Sequence, residues 1–199
     1  MITLINRGVY RLTWWFAKLL DKIYFNTRFF GLENIPSDGN YIIAANHLSY
    51  VDPFILGISQ RKPFTFVAKD TLFKNKFSGF YLLRLGVIPI KRESSDFRAL
   101  RETIRRLKQG SSVVLFPEGT RLGNEKDPQP GVGFLAVKSG VPVIPAYIED
   151  SDKVLPPGAK WFRRYPVKVY FGKPIHFKEH QSYPEIAEEI MRNIYSLDK

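Results

Sequence analysis

The sequence predicts an α/β fold: a single domain with a mainly parallel, mixed β-sheet flanked by helices. Three observations carry that expectation. Short apolar runs suited to buried strands alternate with segments of helical periodicity. Turn and cap residues punctuate them at the right places. The length, 199 residues, accommodates one domain with a full core and not two.

Taken in order, Tyr41–Ala45 is an apolar run after the turn Pro36-Ser37-Asp38-Gly39 and reads as a buried strand. Phe54–Ile58 opens a helical pattern, and Phe64–Ala68 and Val87–Ile90 read as further strands. Ser95 is placed to cap a helix in which Phe97, Leu100, Ile104 and Leu107 recur at helical spacing, with Gly110 ending it. A strand at Ser112–Phe116, a helix around Val132–Lys138 and a strand at Val143–Ile148 follow. Val167, Val169 and Phe171 alternate as a later strand. The last helix starts near Ser182-Tyr183-Pro184-Glu185 and buries Ile186, Ile190, Ile194 and Leu197. No internal repeat stands out. In sheets of this kind, sites gather where strands end and helices begin.

The first 30 residues form a segment of their own, an N-terminal amphipathic helix ahead of an α/β domain over 31–199. Charges at Arg7, Arg11, Lys18, Asp21 and Lys22 leave no apolar run long enough to span a bilayer. At about 100° per residue, Arg7, Arg11, Lys18 and Lys22 share one narrow arc. Ile5, Val9, Leu12, Phe16, Leu19, Leu20 and Ile23 lie opposite, and Trp14 and Trp15 flank the basic stripe. Such a helix suits the headgroup plane of a membrane. The alternative is that its apolar face packs on the protein's own domain. Lys160–Tyr165, which pairs aromatics with cations, is a second membrane candidate or an ordinary solvated turn.

Composition narrows the partners. Thirty Lys and Arg against nineteen Asp and Glu leave a net charge of +11, which points to nucleic acid, phosphorylated metabolites or an anionic membrane. The aromatics cluster with aliphatics in the N-terminal helix and form no stacking platform, so nucleic acid is not an expected partner. The absence of cysteine excludes disulfide scaffolds, thiolate nucleophiles and cysteine-based zinc sites.

Two groups of residues carry chemistry. The Tyr41–Ala45 run ends in Asn46-His47-Leu48-Ser49-Tyr50-Val51-Asp52-Pro53. His47 and Asp52 are wrongly spaced to meet on one helix. They do meet if His47 sits in the turn and Asp52 at the start of the next helix, where Pro53 is favoured. Asp52 would then fix one ring nitrogen and leave the other as a base. Ser49 invites a serine-nucleophile reading but lacks the Gly-X-Ser-X-Gly elbow. His176 and His180 have zinc-helix spacing without the His-Glu-X-X-His pattern, and no metal site is expected. On the other side, Ser112–Phe116 runs into Pro117-Glu118-Gly119-Thr120-Arg121, and Val87–Ile90 into Lys91-Arg92. Gly119 permits a sharp turn, and arginine forks match phosphate oxygens.

Four blocks in order, Asn46-His47-X4-Asp52, Gly86–Arg92, Phe116–Arg121 and Val141–Pro145, resemble the glycerolipid O-acyltransferase family, over about Tyr41 to Tyr147. The resemblance implies acyl transfer from a thioester, acyl-CoA or acyl-carrier protein, to the free hydroxyl of a lysophospholipid, with lysophosphatidic acid the leading acceptor. It implies His47 as general base, Asp52 as its orienting partner, and Arg92, Glu118, Gly119, Thr120 and Arg121 around the acceptor phosphate, with Lys91 assisting. It implies no cofactor beyond the acyl donor. The absence of thiols and of an export signal suits a peripheral protein at the cytoplasmic face, and the net charge and N-terminal helix suit an anionic membrane surface. Glycerol 3-phosphate or another lysolipid remains an alternative acceptor, and a non-catalytic basic membrane- or nucleic-acid-binding domain a remote alternative.

Overall fold

Ile42–Ala45 contains nothing polar and is fully buried, because it forms a central strand covered on both faces, as parallel strands are. A computed structural model describes residues 5–91, 96–119, 128–156, 158–178 and 181–198. Among these the strands are β1 (Arg28–Phe30), β2 (Ile42–Ala45), β3 (Phe64–Lys69), β4 (Ile88–Ile90), β5 (Ser112–Leu115), β6 (Val143–Glu149) and β7 (Lys168–Phe171). They make one sheet in the order β1-β7-β6-β2-β5-β3-β4. Every neighbouring pair is parallel except β6–β7. The mainly parallel, mixed sheet expected from the sequence is therefore what forms.

The helices are α1 (Arg7–Leu20), α2 (Asp52–Ile58), α3 (Lys76–Arg84), α4 (Phe97–Lys108), α5 (Gly131–Ser139), α6 (Ser151–Val154) and α7 (Tyr183–Tyr195). The period of two along the strands sends alternate residues to two cores. Ile42, Ala44, Val113 and Leu115 pack with Leu107 of α4, Leu135 of α5 and Ile186, Ile190 and Ile194 of α7. Ile43, Ala45 and Val114 pack on the other face with Ile55 and Leu56 of α2 and Val154 of α6. α5 and α7 touch closely: a Cβ on Gly133 would stand 2.2 Å from the Tyr183 carbonyl oxygen. A capping box between Ser182 and Glu185 starts α7.

Several boundaries differ from expectation. The segment limit at residue 30 falls after β1, yet Arg28–Phe30 pairs with β7 and belongs to the sheet. Ser95 lies outside the described residues, and Asp96 caps α4, its Oδ1 accepting from the Ala99 N–H at 3.1 Å. Phe116 leaves the ladder after Leu115. β1, α6, and the 3-10 turn Asp70–Phe73 with α3 behind it were not anticipated.

α1 is capped by Asn6, which accepts from the Val9 N–H. Its domain-facing side is Tyr10, Trp14, Ala17 and, just beyond its end, Asp21. The Tyr10 oxygen accepts from the Phe64 N–H at 3.2 Å, and Trp14 Nε1 donates to the Gln60 carbonyl at 3.0 Å. Most of the apolar arc is turned outward. Leu12, Phe16, Leu19 and Ile23 are exposed, while Ile5, Val9 and Leu20 are half-buried at its edge. In the second candidate segment, Trp161 is exposed, whereas Phe162 packs on Tyr24 and Phe25.

Candidate active site

β2 and β5 are adjacent and parallel, so both deliver their C-terminal loops to the same sheet edge. From β2 come Asn46 and His47. Asn46 is buried and locks the turn to β6: its amide donates to the Ile148 carbonyl at 2.9 Å, and its oxygen accepts from the Ile148 N–H at 2.7 Å. The chain then reverses into α2, whose second residue is Pro53.

This reversal brings His47 and Asp52 together. His47 Nδ1 lies 2.8 Å from Asp52 Oδ2, and Leu48 N–H and Ser49 N–H donate to the same oxygen, each at 2.8 Å. An ionised carboxylate only accepts, so Nδ1 is the donor in this pair, and in the neutral imidazole the free lone pair is then on Nε2. Asp52 is wholly buried, and the His47 side chain retains 13% exposure, enough to meet a substrate. The imidazole stacks on Phe116 from the β5 loop, with centroids 4.1 Å apart at 21°. Carboxylate on one side and aromatic ring on the other leave the histidine little rotational freedom. Ser49 contributes its backbone N–H, while its buried hydroxyl has no hydrogen-bond partner; it is not poised as a nucleophile.

From β5 comes Pro117-Glu118-Gly119. Gly119 adopts φ +69°, a left-handed conformation that glycine favours, and its N–H donates to the Phe116 carbonyl at 3.0 Å. Glu118 is buried, and its Oε1 accepts from the Tyr195 hydroxyl at 2.5 Å. Burial pushes its carboxyl above the usual range, opposed by the Tyr195 hydroxyl and then by the His47 backbone N–H. Tyr195 is raised in turn by burial and by donating to that carboxylate. β4 ends at Ile90, and the Lys91 N–H donates to Asp96 Oδ2 at 3.1 Å. Arg92, Thr120 and Arg121 lie outside the described residues, as does His180. Among the described residues no three His, Asp or Glu side chains gather as a metal site.

The structure thus joins His47 to Asp52 and places Glu118 at the same sheet edge. Sequence reasoning gave no role to Asn46, Phe116 or Tyr195. The first two stood inside the quoted blocks, where their neighbours' chemistry drew the attention. Tyr195 had no signal, because it approaches from α7, 77 residues away from Glu118 in sequence.

A family profile described as Acyltransferase matches residues 26–149, which include both strand-end loops. The chain belongs to that family. It is 36% identical over 155 residues to the chloroplast 1-acyl-sn-glycerol-3-phosphate acyltransferase of Arabidopsis thaliana, covering 73% of this chain and 42% of that one. It is 28% identical over 161 residues to the 1-acyl-sn-glycerol-3-phosphate acyltransferase of Bacillus subtilis, covering 80% and 78%. The match thus spans less than half of the chloroplast relative and most of the bacterial one. The crystal structure of the 1-acyl-sn-glycerophosphate acyltransferase PlsC from Thermotoga maritima superposes with a TM-score of 0.73 at 28% identity, covering 95% of this chain and 80% of that one.

Proposed function

We propose that this acyltransferase family member moves a fatty acyl group from a thioester to the free hydroxyl of 1-acyl-sn-glycerol 3-phosphate, giving phosphatidic acid. The observation that carries the reading is the His47–Asp52 pair at the end of β2, inside the family match. The named activity of the relatives supports the acceptor.

In the first step His47 Nε2 takes the acceptor hydroxyl proton as the oxygen attacks the thioester carbonyl. Asp52 holds the tautomer and stabilises the imidazolium that results. Collapse of the tetrahedral intermediate breaks the carbon–sulfur bond, and the imidazolium returns its proton to the departing thiolate. No acyl-enzyme is needed, in keeping with a chain that contains no cysteine and a Ser49 hydroxyl that makes no hydrogen bond to His47. Arg92 and Arg121, with Thr120, would hold the acceptor phosphate, and Glu118 and Gly119 would shape that end of the site. The donor is acyl-CoA or acyl-carrier protein, and no further cofactor takes part. We assign the protein to the cytoplasmic face of an anionic membrane, docked peripherally through the outward apolar arc of α1; among the described residues, no helix is long and apolar enough to cross a bilayer.

The test is thiol release from acyl-CoA with three acceptors: lysophosphatidic acid, monoacylglycerol and glycerol 3-phosphate, for wild type and His47→Ala. Turnover with lysophosphatidic acid alone, abolished in the variant, is the expected result. Wild-type rates in His47→Ala would overturn the mechanism, and turnover with glycerol 3-phosphate alone would overturn the acceptor.

A further inference from the structure

α3 is anomalous for a helix in water. Of its nine residues only Gly79 is buried, packed so close that a Cβ would stand 2.6 Å from the Phe73 carbonyl oxygen. Phe77 is 88% exposed and Phe80 61%, with Tyr81 and Leu83 exposed as well, and Leu72 exposed in the turn before. A helix this apolar and this uncovered lacks its partner.

Two observations say what the partner is. The first is continuity. The Thr13 hydroxyl of α1 and the Tyr81 hydroxyl of α3 are 2.7 Å apart, and the Asn6 N–H donates to the Arg84 carbonyl at 2.9 Å. α3 therefore meets α1 at these two points, and on α1 Leu12 is 74% exposed and Trp15, Phe16 and Leu19 are exposed too. The second is charge. Arg7–Leu20 and residues 71–91 contain no acidic residue, and the one carboxylate of the turn, Asp70, is half-buried where β3 ends, while Arg7, Arg11, Lys74, Lys76 and Arg84 are exposed among the apolar side chains. The Arg84 guanidinium sits over the Phe80 ring at 4.7 Å, an apolar stem and ring with the cation at the margin. Bulky apolar groups interspersed with cations alone match the acyl region and headgroups of an anionic bilayer. A second copy of the chain would oppose cation to cation across the same face.

We infer that α3 and the turn preceding it form a second membrane-docking element, which together with α1 makes one two-helix platform that inserts Phe77 and Phe80 into an anionic lipid surface. The turn starts where β3 ends, on the sheet edge that carries His47, so docking by α3 holds the catalytic edge against the source of a lipid acceptor. This rests on the reading of the protein as an enzyme working on membrane lipids.

The experiment measures partition of the full chain onto phosphatidylcholine vesicles with and without phosphatidylglycerol, for wild type, Phe77→Ser/Phe80→Ser and Leu12→Ser/Phe16→Ser. Because these rings are exposed, both double variants are expected to keep the wild-type melting temperature. Each is expected to weaken partition onto anionic vesicles tenfold or more, and wild type to bind neutral vesicles poorly. Loss in the α1 variant with full retention in the α3 variant overturns the inference. So does a wild-type dimer in sedimentation that the α3 variant dissolves, or tight lipid-free capture of acyl-carrier protein that the α3 variant loses. Turnover of detergent-dispersed lysophosphatidic acid is followed in the same preparations. Vesicle binding that depends on α3 without any turnover would overturn the enzymatic reading and leave the docking surface standing.

Discussion

The loop ends of β2 and β5 and the outer surface of α1 and α3 obey opposite rules. At the strand ends, polar groups are buried and mostly matched: Asp52 Oδ2 takes three donors, Asn46 pairs twice with Ile148, and Glu118 is met by Tyr195. On the helices, apolar groups are exposed and unmatched. Each region looks costly by the standards of the other. Buried carboxylates need a rigid cage, and exposed phenylalanines need something other than water. On the proposed reading, the difference separates a region that works by fixed geometry from one that works as a surface completed from outside.

The sharpest way to break this contrast is at His47, the proposed base. His47→Ala is expected to reduce kcat/KM by about 10³-fold or more while leaving vesicle binding intact, as read by thiol release and cosedimentation. Asp52→Asn is expected to cost about 10²-fold or more in kcat, because an amide cannot serve ring and backbone donors as the carboxylate does. It should also destabilise the fold by roughly 1–3 kcal/mol, since three N–H donors lose a charged acceptor. Denaturant unfolding beside the kinetics checks this. An Asp52→Asn protein as active as wild type would mean that the cage is structural only.

Glu118 tests the other wall. Burial raises its folded pKa above the unfolded value, so its ionisation opposes folding at neutral pH. That cost is relieved as pH falls through the folded pKa toward the ordinary carboxylate range. Glu118→Gln is therefore expected to unfold at an equal or higher temperature than wild type at pH 8, with the difference shrinking toward pH 4.5. Its activity should nevertheless fall tenfold or more. Tyr195→Phe removes the donor that lowers this pKa, so the acid limb of its pH–rate profile should move to higher pH. A stability loss in Glu118→Gln at pH 8 would show that the carboxylate is held by attraction and not merely tolerated.

The two regions also differed in legibility. The strand-end site could be read because its residues stand in short local blocks at strand–helix junctions, and a parallel sheet forces such junctions together. His47 and Asp52 needed only the turn that Pro53 announces. Tyr195 was hidden because its contact is long-range, and β1 because three residues carry too little periodicity to register. In α1 the amphipathic pattern was plain, but no sequence says which face the domain will take. Tyr10 and Trp14 took the inward side by reaching Phe64 and Gln60. α3 stayed invisible for the reason that makes it interesting: with apolar residues nearly all round, it has no polar face to set a period.

The smallest predicted effect asks how firmly the two regions are joined. α3 runs into Gly86, whose carbonyl accepts from Arg106 of α4, and Glu102 holds Arg106 Nε at 2.8 Å and Arg105 Nη2 at 2.7 Å. The Arg105 hydrogen bond first, then that of Arg106, hold the Glu102 carboxyl down at about 2. A depressed carboxyl stabilises the fold above its unfolded pKa and loses that contribution as pH falls, here from about 4.5 to about 2. Because the pair is partly exposed, the contribution is about 1 kcal/mol. Glu102→Gln should thus unfold slightly earlier than wild type at pH 7, with the two curves converging by pH 2. If the same variant also weakens anionic-vesicle binding with α1 and α3 untouched, the docking surface depends on the core for its shape. If binding is unchanged, the docking surface proposed for α3 does not depend on this link to the core.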